Sequence, residues 1–234
     1  MSDDFSDVSA VDRSIVGRRS TRQFLPHPVP RALVEAILGA ARHAPSGNNI
    51  QPWRVHVVGG DRRRELCERV CAEFDKGPAA AAAEYDYYPR EFVEPYLARR
   101  RRTGWNLYGL LGIAKGDHAA MRRQHRRNFE LFDAPLALVF TIDRRLAQGS
   151  WLDYGMFLQN VLLAAHARGV DSCPQAAWID YHRTVGEVLG FVPEEQLVCV
   201  VALGYGDPDA PVNRVTTERC ALNEFVRFHD GASC

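Results

Sequence analysis

Three segments of the chain have the hydrophobic pattern of β-strands. Residues 53–58 (WRVHVV) alternate in polarity, which is typical of a strand buried on one face, and Gly59-Gly60 is predicted to end it. Residues 134–142 (APLALVFTI) and 196–204 (QLVCVVALG) are nearly unbroken apolar runs, which are typical of strands covered on both faces. The pattern therefore predicts a sheet packed between helices.

Apolar residues at spacings of three and four predict helices between these strands. Polar residues near the predicted starts suggest N-caps, namely Asp61, Ser150 with Asp153, and Thr184 with Glu187. The predicted helices run over Val11–Arg18, Pro30–His43, a segment after Asp61 that carries Leu66, Val70 and Phe74, Trp151–Arg168, and a short segment to Leu189.

Segment 76–127 departs from this pattern. It is rich in tyrosine and arginine and has weak periodicity, so we read it as a partly helical excursion from one domain that spans residues 1–234. The arginine excess there favours a solvated surface or a patch for a phosphorylated cofactor over a nucleic-acid site. Because helices alternate with apolar strands, the fold class is α/β or α+β.

Composition narrows the classes of function. The chain has 234 residues, 46% hydrophobic and 25% charged, with 29 basic and 29 acidic side chains. This balance gives no general attraction to nucleic acid or to an anionic membrane, so neither partner is expected. No apolar run is long enough to span a bilayer, the N-terminus lacks a signal-peptide pattern, and six irregularly spaced cysteines indicate no disulfide framework. We expect a cytoplasmic protein with reduced thiols.

Four short stretches carry candidate binding chemistry. GRRSTR at 17–22 places three guanidinium groups around a hydroxyl, which suits a phosphate clamp or a solvated basic turn. APSGNNIQPW at 44–53 puts polar side chains between a helix and a strand, where they either bind a ligand or satisfy local backbone. SCPQAAW at 172–178 exposes backbone N–H groups beside small side chains, or is a plain loop. NRVTTER at 213–219 adds a late arginine that would complete an anion site if it returned to the first cluster.

No conventional catalytic set accompanies these stretches. The chain has no GxGxxG after a strand, no Walker loop, no GxSxG and no HExxH. Cys67 and Cys71 lie four residues apart, but no second pair at ligand spacing accompanies them, so metal is not expected. If the protein is an enzyme, a bound cofactor is expected to do the chemistry.

Taken together and in order, RRSTRQF, APSGNNIQPW, GMFLQNVLLAAHARGVDSCPQAAW and LGYGDPDAPVNRVTTER resemble the nitroreductase family of FMN-dependent oxidoreductases. GWNLYGLLGIAKGD and RRNFELFDAP are similar to the subgroup of bacterial nitrobenzoate reductases. The resemblance implies a three-layer α+β fold with a mixed, mostly antiparallel sheet. It also implies an intertwined homodimer with two FMN sites at the interface, a long central helix in the dimer core and a C-terminal arm that crosses to the partner.

The resemblance also implies roles for individual residues. One arginine of RRS pairs with the FMN phosphate, and another faces the N1/C2 edge of the flavin, where it stabilises the reduced ring. The loop after Ala44 lies against the FMN of the other subunit, and the family pattern selects Asn49 rather than Asn48. The segment after Cys173 lies over the flavin with a backbone N–H near N5. Many members have glutamate-glycine there, whereas this chain has Gln-Ala or Ala-Ala, and Thr217 stands where some members have lysine. The implied FMN contacts are Arg18, Arg19, Ser20, Arg22, Pro45, Ser46, Asn49, Gln51, Pro174, Gln175, Ala176, Ala177 and Arg219.

The implied activity is that of an FMN-dependent oxidoreductase with a ping-pong mechanism. NADH or NADPH passes a hydride to flavin N5, and a small aromatic acceptor, nitroaromatic or quinone-like, then takes its place. Tyr87, Tyr88, Trp105 and Tyr108 either cover the pocket or pack at the dimer edge. The alternatives are a reductive dehalogenase or flavin-processing enzyme of the same fold, and a flavin-binding protein without turnover.

Overall fold

The computed structural model describes residues 9–229 and places five strands in one sheet. The strands are β1 (Phe24–Leu25), β2 (Trp53–Gly59), β3 (Leu136–Asp143), β4 (Asp171–Gln175) and β5 (Glu195–Gly206). The α-helices are α1 (Ala10–Gly17), α2 (Arg31–Ala41), α3 (Gly60–Asp75), α4 (Tyr96–Leu110), α5 (His118–Arg126), α6 (Gln148–His166), α7 (His182–Leu189) and α8 (Leu222–Phe225). Short 3-10 turns lie at Gly47–Asn49, Pro78–Ala80, Arg127–Asp133, Ala176–Tyr181 and Pro211–Arg214.

The sheet has the order β1–β5–β3–β2, and β4 pairs with β5 on the side away from β3. Every strand pair among residues 9–229 is antiparallel, and one isolated parallel bridge joins Ser20 to Ser172. The predicted mixed, mostly antiparallel sheet is therefore confirmed. Pro174 has no amide hydrogen to donate, and it fits in β4 because this strand lies at an edge of the sheet.

Helices cover both faces of the sheet. Side chains of one strand alternate between faces, so Leu138, Phe140 and Ile142 pack with α2 and α6. Ala137 and Val139 of the same strand pack on the other side with α3 and α7. Two apolar clusters separated by the sheet make three layers, and the predicted three-layer α+β fold is confirmed.

Two predicted helix caps at α3 and α7 are wrong. α3 begins at Gly60 without a side-chain cap, and the carboxylate of Asp61 pairs instead with Arg64 at 2.6 Å. α7 begins at His182, two residues before the predicted cap Thr184, and it ends at Leu189 as predicted. Burial of an apolar face stabilises both helices, so neither depends on a capping hydroxyl or carboxylate.

The predicted start of the long helix is also wrong. α6 begins at Gln148 rather than Trp151, so Ser150 lies buried within the first turn and Asp153 within the second. The helix ends near Gly169 as predicted, and this glycine has a left-handed φ of 71°. The following stretch was not predicted as a strand, because a proline and polar residues conceal the short edge strand β4.

Segment 76–127 contains α4 and α5, which are joined by irregular connections. Arg99 and Arg102 of α4 form ion pairs with Glu224 and Glu218 of the C-terminal tail. Part of the arginine excess is therefore neutralised within the chain.

The cysteines, possible metal ligands and helix hydrophobicity of residues 9–229 bear on metal and membrane binding. The five cysteines of this range are free, and burial raises the pKa of Cys67 to about 12 and that of Cys71 to about 11. No group of three or more metal-ligating side chains occurs there. None of the helices in the described range has the length and apolar character needed to cross a membrane.

Candidate functional site

Two arginines that are distant in sequence come together beyond the end of α1. Arg18 follows the helix directly, and its Nε and Nη1 atoms are buried without a hydrogen-bond partner among the described residues. Burial lowers the pKa of Arg18, and the positive charge of Arg219 lowers it further. Arg219 itself donates to Thr217 Oγ1 at 2.7 Å. Guanidinium groups with unused donors have the chemistry to bind an anion.

Ser20 and Arg22 lie around the same point as Arg18. Burial raises the pKa of the Cys173 thiol to about 11, against the opposing effects of Arg22, the Ser20 hydroxyl and Arg18. These three predicted contacts therefore surround one position in β4. Arg19, between them in sequence, is exposed and is not drawn into this cluster.

The end of β4 borders a cavity of about 390 Å³. Pro174, Gln175 and Ala176 line it, opposite Tyr87 of the excursion and Trp151 of α6. Because proline and alanine side chains are short, a flat ligand can approach the main chain closely here. Three of the four predicted contacts of this stretch thus face one open space.

The segment that follows β4 is fixed at both flanks by one backbone carbonyl. The Asn128 oxygen accepts hydrogen bonds from Gln175 Nε2 at 2.7 Å and from Trp178 Nε1 at 3.1 Å. Ala176 and Ala177 lie between these two donors. Gln175 Oε1 is buried and has no partner among the described residues. The backbone of this segment is therefore held in place before any ligand binds.

The polar loop before β2 has an unusual backbone. Asn48, Asn49 and Gln51 all have left-handed φ values, of 50°, 59° and 49°. The Ser46 hydroxyl accepts the Gln51 N–H at 3.0 Å, so part of the loop's polarity satisfies its own backbone. The side chains of Pro45, Asn49 and Gln51 remain exposed.

This loop and Gly17, the residue before Arg18, lie against opposite ends of α6. The Gly47 N–H donates to the Asp153 carboxylate at 3.0 Å, near the start of the helix. At the other end, Gly17 beside Arg18 packs so closely that an added Cβ would lie 3.0 Å from His166 Nε2. Thirteen residues of helix separate these two contacts, or about 20 Å along the axis. The predicted contacts therefore form two groups within one chain.

The four aromatic residues of segment 76–127 that are expected to cover the pocket or pack at the dimer edge do not all lie together. Tyr87 faces the cavity beside Pro174. Tyr108 lines a smaller cavity, of about 170 Å³, together with Arg22. Tyr88 and Trp105 are exposed.

Asn213 was missed from sequence. Its Oδ1 accepts the N–H groups of Arg22 at 2.7 Å and Gln23 at 3.2 Å, and its Nδ2 donates to the carbonyl of Asp207 at 2.8 Å. The amide thus ties the arginine-rich stretch to the turn after β5. Asn213 lies in the NRVTTER stretch, but its partners Arg22 and Gln23 are about 190 residues away, so no local signal selects it.

The chain is similar to known proteins over most of its length. The model of the nitroreductase family matches residues 15–205. The chain is 37% identical to nitrobenzene nitroreductase of Ectopseudomonas oleovorans over 93% of this chain and 96% of that protein. It is 36% identical to 4-nitrobenzoate reductase of Pseudomonas putida over 97% and 96%.

A solved structure is similar over nearly the same length. The FMN- and NADPH-dependent nitroreductase NfnB of sphigopyxis sp. strain HMH superposes with a TM-score of 0.92 at 38% identity, covering 94% of this chain and 99% of that one. The family model and the curated relatives each span most of the chain, so the protein belongs to the nitroreductase family.

Proposed function

We propose that this protein is an FMN-dependent oxidoreductase that passes a hydride from NADPH or NADH to a nitroaromatic or quinone-like acceptor. The buried Nε and Nη1 atoms of Arg18, which have no hydrogen-bond partner among the described residues, carry the proposal together with the nearby charge of Arg219. The phosphate of FMN is an anion of the kind that such a pair binds. When bound, FMN supplies the hydride-transfer chemistry for which the chain has no side-chain set of its own.

The chain's own residues bind and orient the cofactor. Arg18, Ser20 and Arg219 hold the phosphate. Arg22 provides the positive charge beside the ring edge, where reduction places negative charge. Pro174, Ala176 and Ala177 are small enough to let a flat ring lie against the main chain. The hydrogen bonds from Gln175 and Trp178 to the Asn128 carbonyl hold that stretch of backbone in position. Arg19 is exposed and lies outside this cluster.

We further propose that the working form is a homodimer. If one FMN contacts both the arginine pair and the loop Pro45–Gln51, a second copy of the chain can supply the loop, because on one chain the two groups lie near opposite ends of α6. Exposed apolar side chains on α1, α6 and the C-terminal tail support this assembly, since such patches mark interfaces. They include Val11, Ile15, Val16, Leu152, Met156, Phe225 and Phe228.

The acceptor is proposed to be a small aromatic molecule. The cavity of about 390 Å³ beside Pro174 is apolar in character and offers Tyr87 and Trp151 as flat surfaces for stacking. Relatives named for nitrobenzene and 4-nitrobenzoate favour nitroaromatic acceptors. The similarity to an FMN- and NADPH-dependent enzyme favours NADPH as reductant. We infer a cytoplasmic location because the five described cysteines are free.

Anaerobic spectroscopy tests the proposal directly. Purified protein is expected to be yellow or to gain flavin absorbance when FMN is added, and NADPH or NADH should then bleach it. Nitrobenzene, 4-nitrobenzoate or a quinone should restore the colour under anaerobic conditions. Protein that takes up no FMN would refute the proposal, and bound FMN that neither nucleotide reduces would favour a non-catalytic flavin protein.

A further inference from the structure

Two side chains of α6 hold the two ends of the loop before β2. The Asp153 carboxylate accepts the N–H of Gly47 at 3.0 Å, and the ring of Phe157 stacks on Trp53 with centroids 4.7 Å apart and planes within 8°. Positions 153 and 157 are four residues apart, so they lie on one face of the helix. The loop is therefore tied to one face of α6 near its start, at Gly47, and at its end, at Trp53.

The backbone between these two ties is of high energy. Asn48, Asn49 and Gln51 occupy the left-handed region, which side-chain-bearing residues seldom adopt. Such conformations persist where the surrounding structure holds them. Within the loop, the Gln51 N–H donates to Ser46 Oγ and Gln51 Nε2 donates to the Asn49 carbonyl. Two backbone bonds add to these, from Asn49 N–H to the Ser46 carbonyl and from Ile50 N–H to the Gly47 carbonyl. Asp153 adds a support from outside the loop, at the Gly47 N–H near its start.

The position of Asp153 excludes its predicted role as a helix cap. α6 begins at Gln148 with Ala147 as N-cap residue, so Asp153 lies in the second turn, where backbone N–H groups already donate within the helix. Its carboxylate is consequently available to the loop.

We propose that Asp153 is a positioning residue for the cofactor: it fixes the loop so that Ser46, Asn49 and Gln51 meet FMN in one orientation, without itself touching FMN. The inference rests on the proposed FMN-binding function and adds to it the residue that prepares the loop. If only a fraction of the molecules held the loop in this conformation, the apparent dissociation constant of FMN would rise by the inverse of that fraction.

Four variants separate this role from the alternatives. Asp153→Ala removes the acceptor, whereas Asp153→Asn keeps an oxygen in the same place and removes only the charge. Asn49→Asp removes a proposed cofactor contact while tolerating the left-handed backbone. Glu68→Ala is a control, because Glu68 is an exposed carboxylate of α3, on the other side of the sheet.

Two measurements apply to each variant. Hydrogen exchange of the peptide covering residues 44–53 is measured without FMN, and the FMN dissociation constant is measured by flavin fluorescence. Asp153→Ala is expected to speed exchange in this peptide and to weaken FMN binding about tenfold or more, the effect of one hydrogen bond to a charged group. Asp153→Asn should bind FMN within about threefold of wild type, because an amide oxygen still accepts the Gly47 N–H. Asn49→Asp should weaken FMN binding with normal exchange at Gly47, and Glu68→Ala should change neither.

The outcomes distinguish this inference from the function on which it rests. Wild type that takes up no FMN would overturn both. If wild type binds FMN and Asn49→Asp weakens it, the proposed function stands, and Asp153→Ala decides the inference alone. FMN affinity of Asp153→Ala within twofold of wild type would overturn it, as would weaker FMN binding without faster exchange in the 44–53 peptide.

Discussion

Replacing Arg18 with alanine is expected to weaken FMN binding while leaving the cofactor-free protein about as stable as wild type. In the free protein, the buried Nε and Nη1 atoms of Arg18 have no partner among the described residues, and its pKa is lowered by burial and then by the charge of Arg219. The side chain therefore contributes little to folding by itself. A cation kept in such surroundings is suited to a bound anion.

The expected magnitude follows from the donors involved. A hydrogen bond to a charged group contributes about 1.5–3 kcal/mol, which corresponds to about a 10- to 150-fold rise in the dissociation constant of FMN. In the free protein, the relief of an unsatisfied buried group, about 1–3 kcal/mol, opposes the loss of packing by the aliphatic stem. The free energy of unfolding should therefore stay within about 1 kcal/mol of wild type.

Flavin fluorescence titration and urea unfolding of the cofactor-free protein measure the two effects separately. Arg219→Ala should behave in the same way, and Arg183→Ala, an exposed arginine of α7, is the matched control. Because both arginines bind one phosphate, the double variant should lose less affinity than the two single losses combined. Unchanged FMN affinity in both single variants would refute the anion site, and a loss of several kcal/mol of stability in cofactor-free Arg18→Ala would show that this arginine is structural.

Three further predictions concern stability and assembly. Trp178→Phe deletes the donation to the Asn128 carbonyl and shrinks a fully buried side chain, so it should lower the free energy of unfolding in urea by more than the roughly 1 kcal/mol of the bond alone; an unchanged midpoint would show that this bond is dispensable. Burial raises the pKa of Glu195, but hydrogen bonds from groups that include His56 at 2.9 Å outweigh burial, so the net pKa is lowered. The ionised carboxylate therefore stabilises the fold above its unfolded pKa of about 4.3, and this stabilisation is lost as the pH falls through the folded pKa. Glu195→Gln should therefore reduce the acid-side decline of stability below about pH 5, as measured by unfolding at several pH values, and an identical decline would contradict the assignment. Leu152→Glu, at a side chain 71% exposed on α6, should yield folded monomer in sedimentation and weaken FMN binding, whereas intact dimer would place the interface elsewhere.

Much of the fold was predictable because burial leaves a periodic record in sequence. The apolar runs that became β3 and β5 were clear, since both strands are covered on both faces. The alternation of β2 predicted its buried face only in part, because Trp53 and Val55 pack with α2 and α6, whereas Val57 is exposed and Val58 is buried on the opposite face. The edge strand β4 was hidden, because its position requires few apolar residues and admits Pro174. Helix starts were wrong where a polar residue happened to precede an apolar pattern, because packing rather than capping stabilises those first turns.

The candidate site was predictable only in part, and for a different reason. A cluster such as Arg18, Ser20 and Arg22 is local, so its chemistry can be read from one short stretch. The approach of Arg219, and the bonds of Asn213 and Asp153 to other parts of the chain, depend on contacts over more than one hundred residues. Those contacts leave no mark on local periodicity, and Asp153 was accordingly taken for a helix cap.

The positions of the arginine pair and of the loop Pro45–Gln51 at opposite ends of α6 link FMN binding to formation of the proposed dimer. If the arginine pair of one chain and the loop of its partner hold the same FMN, part of the free energy of FMN binding stabilises the dimer, and the dimer in turn raises the affinity for FMN. A rigid helix of 19 residues then sets the distance between the two sites of the pair. Asp153 then also affects the partner's site, because it positions a loop that contacts the FMN held by the arginine pair of the partner chain. Loosening that loop should therefore weaken both FMN retention and the association of the two copies, although neither the arginine pair nor the apolar surface has changed.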